Sequence, residues 1–147
     1  MENNNIKKVV LVTGANRGLG FAIVKNLLQN NQNFDVILTS RDEKLGKESI
    51  DLILNEMKEH ENRLHYHQLD IENDESIKKL VNWIKEKFEK IDILVNNAAV
   101  YISQINYDTA KTTFDINVYG TINFTEKILS ENLIRPNGKI VILGSVY

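Results

Sequence analysis

The sequence predicts an α/β protein built on a doubly wound parallel sheet, and three observations carry that prediction. Short apolar runs such as Val9–Val12, Val36–Leu38 and Ile140–Leu143 alternate with longer stretches whose apolar residues recur at helical spacing. The first run leads through a glycine-rich turn, Thr13-Gly14-Ala15-Asn16-Arg17-Gly18-Leu19-Gly20, straight into the apolar segment Phe21–Leu28. Neither an internal repeat nor a linker interrupts the alternation. Strands that alternate with helices form a parallel sheet with right-handed crossovers and helices on both faces. Five strands in the order 3-2-1-4-5 are expected.

Each element has its own signal. Lys7–Val12 reads as a strand buried on both faces, and Gly18–Asn30 as the helix after it, stopped by the polar cluster Asn30–Asn33. Asp35–Ser40 is the second strand. A helix follows over Glu43–Glu59, with Ile50, Ile53, Leu54 and Met57 on one face. Arg63–Leu69 is a third strand, more polar and therefore nearer an edge. Asn73 caps the next helix, with Asp74 and Glu75 at its start and Lys85 and Lys87 near its end, matching the helix dipole. The core face of that helix is Ile77, Leu80, Val81, Ile84 and Phe88. Ile91–Val95 is the fourth strand. A long helix is expected over Lys111–Ser130, with Phe114, Val118, Ile122, Thr125 and Leu129 inward. Arg135-Pro136-Asn137-Gly138 reads as a turn and Lys139–Leu143 as the fifth strand.

Composition narrows the function. The 147 residues form one domain, residues 1–147, with 42% hydrophobic and 26% charged residues. A net charge of −2 offers no basic field for nucleic acid or for a membrane surface. No cysteine is present, which excludes disulfides and thiolate chemistry. Neither a signal-peptide core nor an apolar run of membrane-spanning length is seen, so a cytoplasmic protein is expected. His65-x-His67 lacks a third ligand at a suggestive spacing, and no metal is expected.

The glycine-rich turn suits a pyrophosphate. Glycine permits turn geometries and close approaches that a Cβ blocks, and the helix N-terminus beyond it presents free amides and a positive dipole end. Its spacing, Thr-Gly-x-x-x-Gly-x-Gly, differs from the Gly-x-Gly-x-x-Gly of the general dinucleotide fingerprint.

Four stretches then agree. They are that turn, Asn96-Asn97-Ala98-Ala99 after the fourth strand, Asn117 within the long helix, and Gly144-Ser145 after the fifth strand. In this order and spacing the chain resembles the short-chain dehydrogenase/reductase family. Thr39-Ser40-Arg41-Asp42 and His67-Gln68-Leu69-Asp70-Ile71 look most like its carbonyl reductase branch. The resemblance implies a Rossmann-type sheet, here reaching only its first five strands and stopping before the family's later strands and helices.

It also implies site residues. Gly14, Asn16, Arg17, Gly18, Leu19 and Gly20 would lie against the cofactor. Ser40 stands where an NAD enzyme carries the acid that binds the ribose hydroxyl, and Arg41 follows it. Arg17 and Arg41 together suit a dianionic 2′-phosphate, which favours NADP(H) over NAD(H), although Asp42 beside them opposes it. Asp70 and Ile71 would flank the adenine. Asn96 and Ala98 would line the cofactor, while Asn97 would tie neighbouring strands together. Ala99 replaces the family's usual glycine, a departure that matters only if φ there is positive. Asn117 would position a water in the proton relay, and Ser145 would hydrogen-bond a carbonyl substrate.

The implied reaction is NADPH-dependent reduction of a small carbonyl compound to an alcohol. In the family a Tyr protonates the alkoxide and a Lys four residues on lowers its pKa, because an unperturbed phenol near pKa 10 lies about 4 kcal/mol from readiness at neutral pH. That pair belongs beyond Ser145, and this sequence ends at Tyr147. Tyr107 and Lys111 have the spacing but stand before Asn117, which makes them a coincidence of loop and helix start. The sequence therefore reads as the front part of a longer enzyme. The alternative from another class is a non-catalytic NADP(H)-binding or interaction protein, a pseudoenzyme or truncated product. The fifth strand would then present an open apolar edge, a route to self-association.

Overall fold

A computed structural model describes residues 7–144 of the chain, so Ser145 and Tyr147 lie outside the described residues. The strands are β1 (Lys8–Val12), β2 (Phe34–Ser40), β3 (Leu64–Gln68), β4 (Ile91–Asn96) and β5 (Ile134–Ile142). They form one parallel five-stranded sheet in the order β3-β2-β1-β4-β5, as the sequence predicts. The helices are α1 (Gly18–Asn30), α2 (Glu43–Glu56), α3 (Asp74–Lys87), α4 (Tyr107–Phe114) and α5 (Thr121–Ser130), with a π-helical segment, Asp115–Gly120, joining the last two. A 3₁₀ segment, Lys58–Arg63, precedes β3.

The period of two along the central strand divides the core. Val9 and Leu11 join one apolar cluster with Ile77, Leu80 and Ile84 of α3 and Phe124 and Ile128 of α5. Val10 and Val12 join the other, with Val24 and Leu28 of α1 and Ile53 of α2. A strand buried on both faces needs apolar residues at every position, which is why β1 reads as an unbroken run.

The second helix stops at Glu56, short of the expected Glu59, because a 3₁₀ segment takes Lys58–Arg63. Two elements depart further from the sequence reading. Strand β5 begins at Ile134 and absorbs the Arg135–Gly138 turn as an irregularity, since Ile91 pairs with Ile134 but Ile93 pairs with Lys139. Asn137 takes a left-handed conformation there, at φ 65°, and Pro136 needs no ladder partner for its missing N–H. The second departure is the face of the long helix, which also starts earlier, at Tyr107. Phe114 (60% exposed), Ile122 (48%) and Leu129 (53%), with Val118, point outward, while Ile116, Gly120, Phe124 and Ile128 are buried. The segment carries apolar residues on two faces. The buried stripe, Ile116, Gly120, Phe124 and Ile128, runs at a spacing of four through the π turns and lies beside the one read from the sequence.

Buried polar residues close the ends of elements. Arg63, read from the sequence as the first residue of the third strand, is buried before it. Its guanidinium donates to Leu28 O (2.8 Å) and Asn31 O (2.7 Å) at the end of α1, to Phe34 O (3.1 Å) and to His60 Nδ1 (2.8 Å). Those carbonyls lie at or near a helix C-terminus, where a cation is favoured.

The histidines of β3 serve packing. His65 Nε2 donates to Asp35 Oδ1 at 3.0 Å, and its ring meets Phe88 edge-on at 5.0 Å. His67 donates from Nδ1 to Gln68 O at 2.6 Å and packs on Trp83. Burial holds both imidazoles below their usual range, outweighing the Asp35 carboxylate for His65 and the backbone bond for His67. Between the depressed folded values and the unfolded value of about 6.5, the unfolded chain binds more protons. Stability is therefore expected to hold above about pH 6.5 and to fall as the pH drops below it. Urea midpoints at pH 7.5 and 5.5 test this, and the His65→Gln, His67→Gln double variant should lose most of the difference. Glu131, held at about 2 by its bonds to Lys127 and Lys85, contributes stability that is lost only below its ordinary value of 4.5, outside that window.

Candidate functional site

The C-terminal ends of β1, β2, β3 and β4 open onto a single cleft of about 620 Å³. It lies where the chain, having passed from β1 outward to β3, returns to place β4 on the other side of β1. Loops diverge at such a reversal of strand order and leave a crevice, which is where open α/β sheets bind ligands.

Thr13 builds the floor. Its buried hydroxyl accepts from Asn97 N (3.0 Å) and Ala98 N (2.9 Å), joining the loops after β1 and β4. Asn97 returns the tie through Nδ2, which donates to Thr13 O (2.9 Å) and Gly14 O (3.0 Å). Gly14 has φ +61°, and a Cβ there would stand 2.7 Å from Ala98 Cα. Gly20 is buried, and its Cβ would run into Asn97 Nδ2 and lie 2.9 Å from Ala15 Cα and Gly14 O. Backbone is thus packed on backbone at the base of the cleft, with no room for side chains.

Helix α1 opens onto this floor without a side-chain cap. By contrast, Asp42, Asn73 and Asn106 accept from Leu45 N, Ser76 N and Thr109 N at the starts of α2, α3 and α4. Helix-terminal amides left uncapped beside a cleft form an anion site. Arg17 and Arg41 both line the same cleft, on exposed positions of the β1–α1 and β2–α2 loops. Asp42 also lines it, but its carboxylate is engaged as the cap of α2 at 2.9 Å, where the helix dipole offsets its charge. A turn that a Cβ would fill, uncapped amides and two guanidinium groups fit a phosphorylated dinucleotide.

The structure sorts the residues singled out from the sequence. Gly14, Asn16, Arg17, Gly18, Arg41, Asp70, Ile71 and Ala98 line the cleft. Leu19, Gly20, Ser40 and Asn96 do not. Leu19 is 62% exposed. Ser40 is buried, donating to Asp42 O at 2.7 Å and lying 3.1 Å from Tyr66 OH. Asn96 is buried and donates from Nδ2 to Thr125 Oγ1 at 3.0 Å, so it fastens β4 to α5. Asn97 takes the place on the cleft that Asn96 was expected to hold. Ala99 is absent from the left-handed residues, so its replacement of glycine carries no backbone strain. Asn117, within the π segment, grips Val100 at both ends: Oδ1 accepts from Val100 N and Nδ2 donates to Val100 O, each at 2.8 Å. Its amide is therefore a clamp on the β4–α4 loop. Tyr107 and Lys111 stand away from the cleft, with Lys111 paired to Asp115. Leu45, Leu69, Glu72, Val100 and Ile116 line the cleft unforeseen. Leu69 carried a signal, standing between Gln68 and Asp70 in the stretch already read. Ile116 was hidden by the choice of the wrong helix face.

Among the described residues, no group of metal-ligating side chains is found and no helix is long and apolar enough to cross a membrane.

Comparison with known proteins agrees with this architecture. A sequence model of the family described as short chain dehydrogenase matches residues 8–147. Carbonyl reductase (NADPH) 1 of Mus musculus is 35% identical over 145 residues, covering 95% of this chain and 50% of the mouse protein. The (−)-isopiperitenone reductase of Mentha piperita is 47% identical over 95 residues, 65% of this chain and 30% of the plant protein. Among solved structures, menthone neomenthol reductase from Mentha piperita superposes with a TM-score of 0.85 at 29% identity, over 95% of this chain and 61% of that one. The chain spans about half the length of the carbonyl reductases it matches.

Proposed function

Because this chain belongs to the short-chain dehydrogenase family, we propose that residues 1–147 form the NADP(H)-binding domain of a cytoplasmic reductase that converts a small carbonyl compound to an alcohol. The observation that carries the cofactor choice is the placing of Arg17 and Arg41 on one cleft whose floor is a glycine turn and an uncapped helix. Two guanidinium groups suit the extra phosphate that distinguishes NADP(H) from NAD(H). Support for the reaction comes from the relatives, among them a carbonyl reductase named for NADPH. Bound in the cleft, NADPH supplies the hydride. The chain's own residues hold and orient it, the turn amides on the pyrophosphate and Asp70 and Ile71 beside the adenine. Asn117, whose side chain is held by Val100, positions a water of the proton relay. Ser145 bonds the substrate carbonyl.

Titration of the chain with NADPH and with NADH, followed by nicotinamide fluorescence, tests the cofactor choice. NADPH should bind at least about ten-fold tighter, the least that one charge-assisted phosphate contact contributes. Equal affinities would overturn it. Consumption of NADPH by the protein as its gene encodes it, against a panel of aldehydes and ketones, tests the reaction.

A further inference from the structure

We propose that Gln68 is a positioning residue that sets the preference for NADPH by holding the backbone of Arg41 in place. The inference rests on the NADP(H) reading above. Gln68 is the last residue of β3 and lies between the two loops that rim the cleft on this side. Its Nε2 donates to Arg41 O at 3.0 Å. Its Oε1 accepts from Ser76 Oγ at 2.8 Å, and Ser76 Oγ accepts in turn from Asp70 N at 2.9 Å.

The direction of this chain is fixed by its chemistry. Asp70 can offer only its N–H, so the single hydroxyl hydrogen of Ser76 is free for Gln68. That makes the carbonyl end of the amide face Ser76 and leaves the NH₂ end for Arg41 O, which can only accept. Ser76 is itself fixed, since its backbone N–H bonds the capping side chain of Asn73 at 2.9 Å. The start of α3 thereby orients the loop after β2. Ser40 anchors the same loop by donating from its hydroxyl to Asp42 O and by accepting at its carbonyl from Leu69 N at 2.9 Å, but neither bond reaches the Arg41 carbonyl, which Gln68 holds.

Arg41 is exposed, and an exposed arginine loses rotamer freedom when it grips a phosphate. Fixing its backbone beforehand leaves only the side-chain rotamers to be ordered on binding, which lowers the total entropy loss. Only a ligand carrying the 2′-phosphate benefits, because NADH makes no use of the guanidinium. A scaffold residue would affect both ligands alike.

A double-mutant cycle separates these outcomes. NADPH and NADH are titrated into the unsubstituted chain, Arg41→Ala, Gln68→Met and the double variant, methionine keeping the length of glutamine without its bonds. Gln68→Met should weaken NADPH by about five-fold, NADH by less than about two-fold, and should add almost nothing to Arg41→Ala. Equal weakening of both ligands, or a full five-fold loss that persists beside Arg41→Ala, overturns the proposal. Ser76→Ala offers a second arm, leaving Gln68 in place but freeing its amide to turn. It should also weaken NADPH more than NADH, and parallel losses would again count against the proposal. Failure of the underlying cofactor reading looks different, since the unsubstituted chain would then show no preference before any substitution is made.

Discussion

Gly14→Ala is expected to destabilise the chain by about 2–5 kcal/mol and to abolish dinucleotide binding. A left-handed residue other than glycine costs about 1–2 kcal/mol, and forcing atoms into a filled space typically costs about 1–3 kcal/mol more. Both terms apply, because φ is +61° and the new Cβ would stand 2.7 Å from a backbone atom, Ala98 Cα, which cannot rotate aside. Domains are stable by only about 5–15 kcal/mol, so this removes a large share. Gly18 provides the control. Its φ is nearly the same, +58°, but a Cβ there meets nothing within 4 Å. Gly18→Ala should therefore cost only the first term, about 1–2 kcal/mol. Urea midpoints of the two variants decide the matter, and equal losses would mean that Ala98 moves without resistance.

The Arg17→Ala, Arg41→Ala double variant should lose NADPH affinity by about 10²–10⁴-fold while changing NADH by less than about three-fold. Hydrogen bonds to charged groups contribute about 1.5–3 kcal/mol each, or about ten- to 150-fold per arginine. Both residues are exposed, so the lower end applies near physiological salt and the upper at low ionic strength. Calorimetric titration at two salt concentrations gives both numbers. A parallel fall in NADH affinity would show that the guanidinium groups serve the pyrophosphate and not the 2′-phosphate.

Much of this architecture was legible in the residue order because local rules and global packing agree. Strand β1 needed unbroken apolar residues to lie between two helical layers, and it has them. The face of α3 followed from a single stripe, and that of α2 from Ile50, Ile53 and Leu54, although Leu45 and Leu52 of the same helix are exposed. The caps at Asn73 and the glycines at 14 and 18 are local matters of hydrogen bonding and φ. The long helix was not legible in the same way. It carries two apolar stripes, and periodicity by itself cannot choose between them.

The candidate site divides along the same line. Residues tied to the cleft by their own backbone, such as Gly14, Gly18 and Asp70, could be found from the motif alone. Asn96 and Asn97 are adjacent and chemically identical, and only the strand pleat decides that one faces α5 and the other the β1 loop. Ser40 stands at the end of the second strand as read, but its hydroxyl is turned to Asp42 O and to Tyr66 OH, the latter 26 residues away in sequence. The succession of strands and helices, the glycine turn and the arginines beside it were legible from residue order, since these depend on neighbours along the chain. Only the tertiary structure decided that the amides of Asn96 and Asn117 are spent on holding elements together, and which face of the long helix is buried. Those choices depend on partners such as Asn96 with Thr125 or Asn117 with Val100, which only the folded chain brings within about 3 Å of one another.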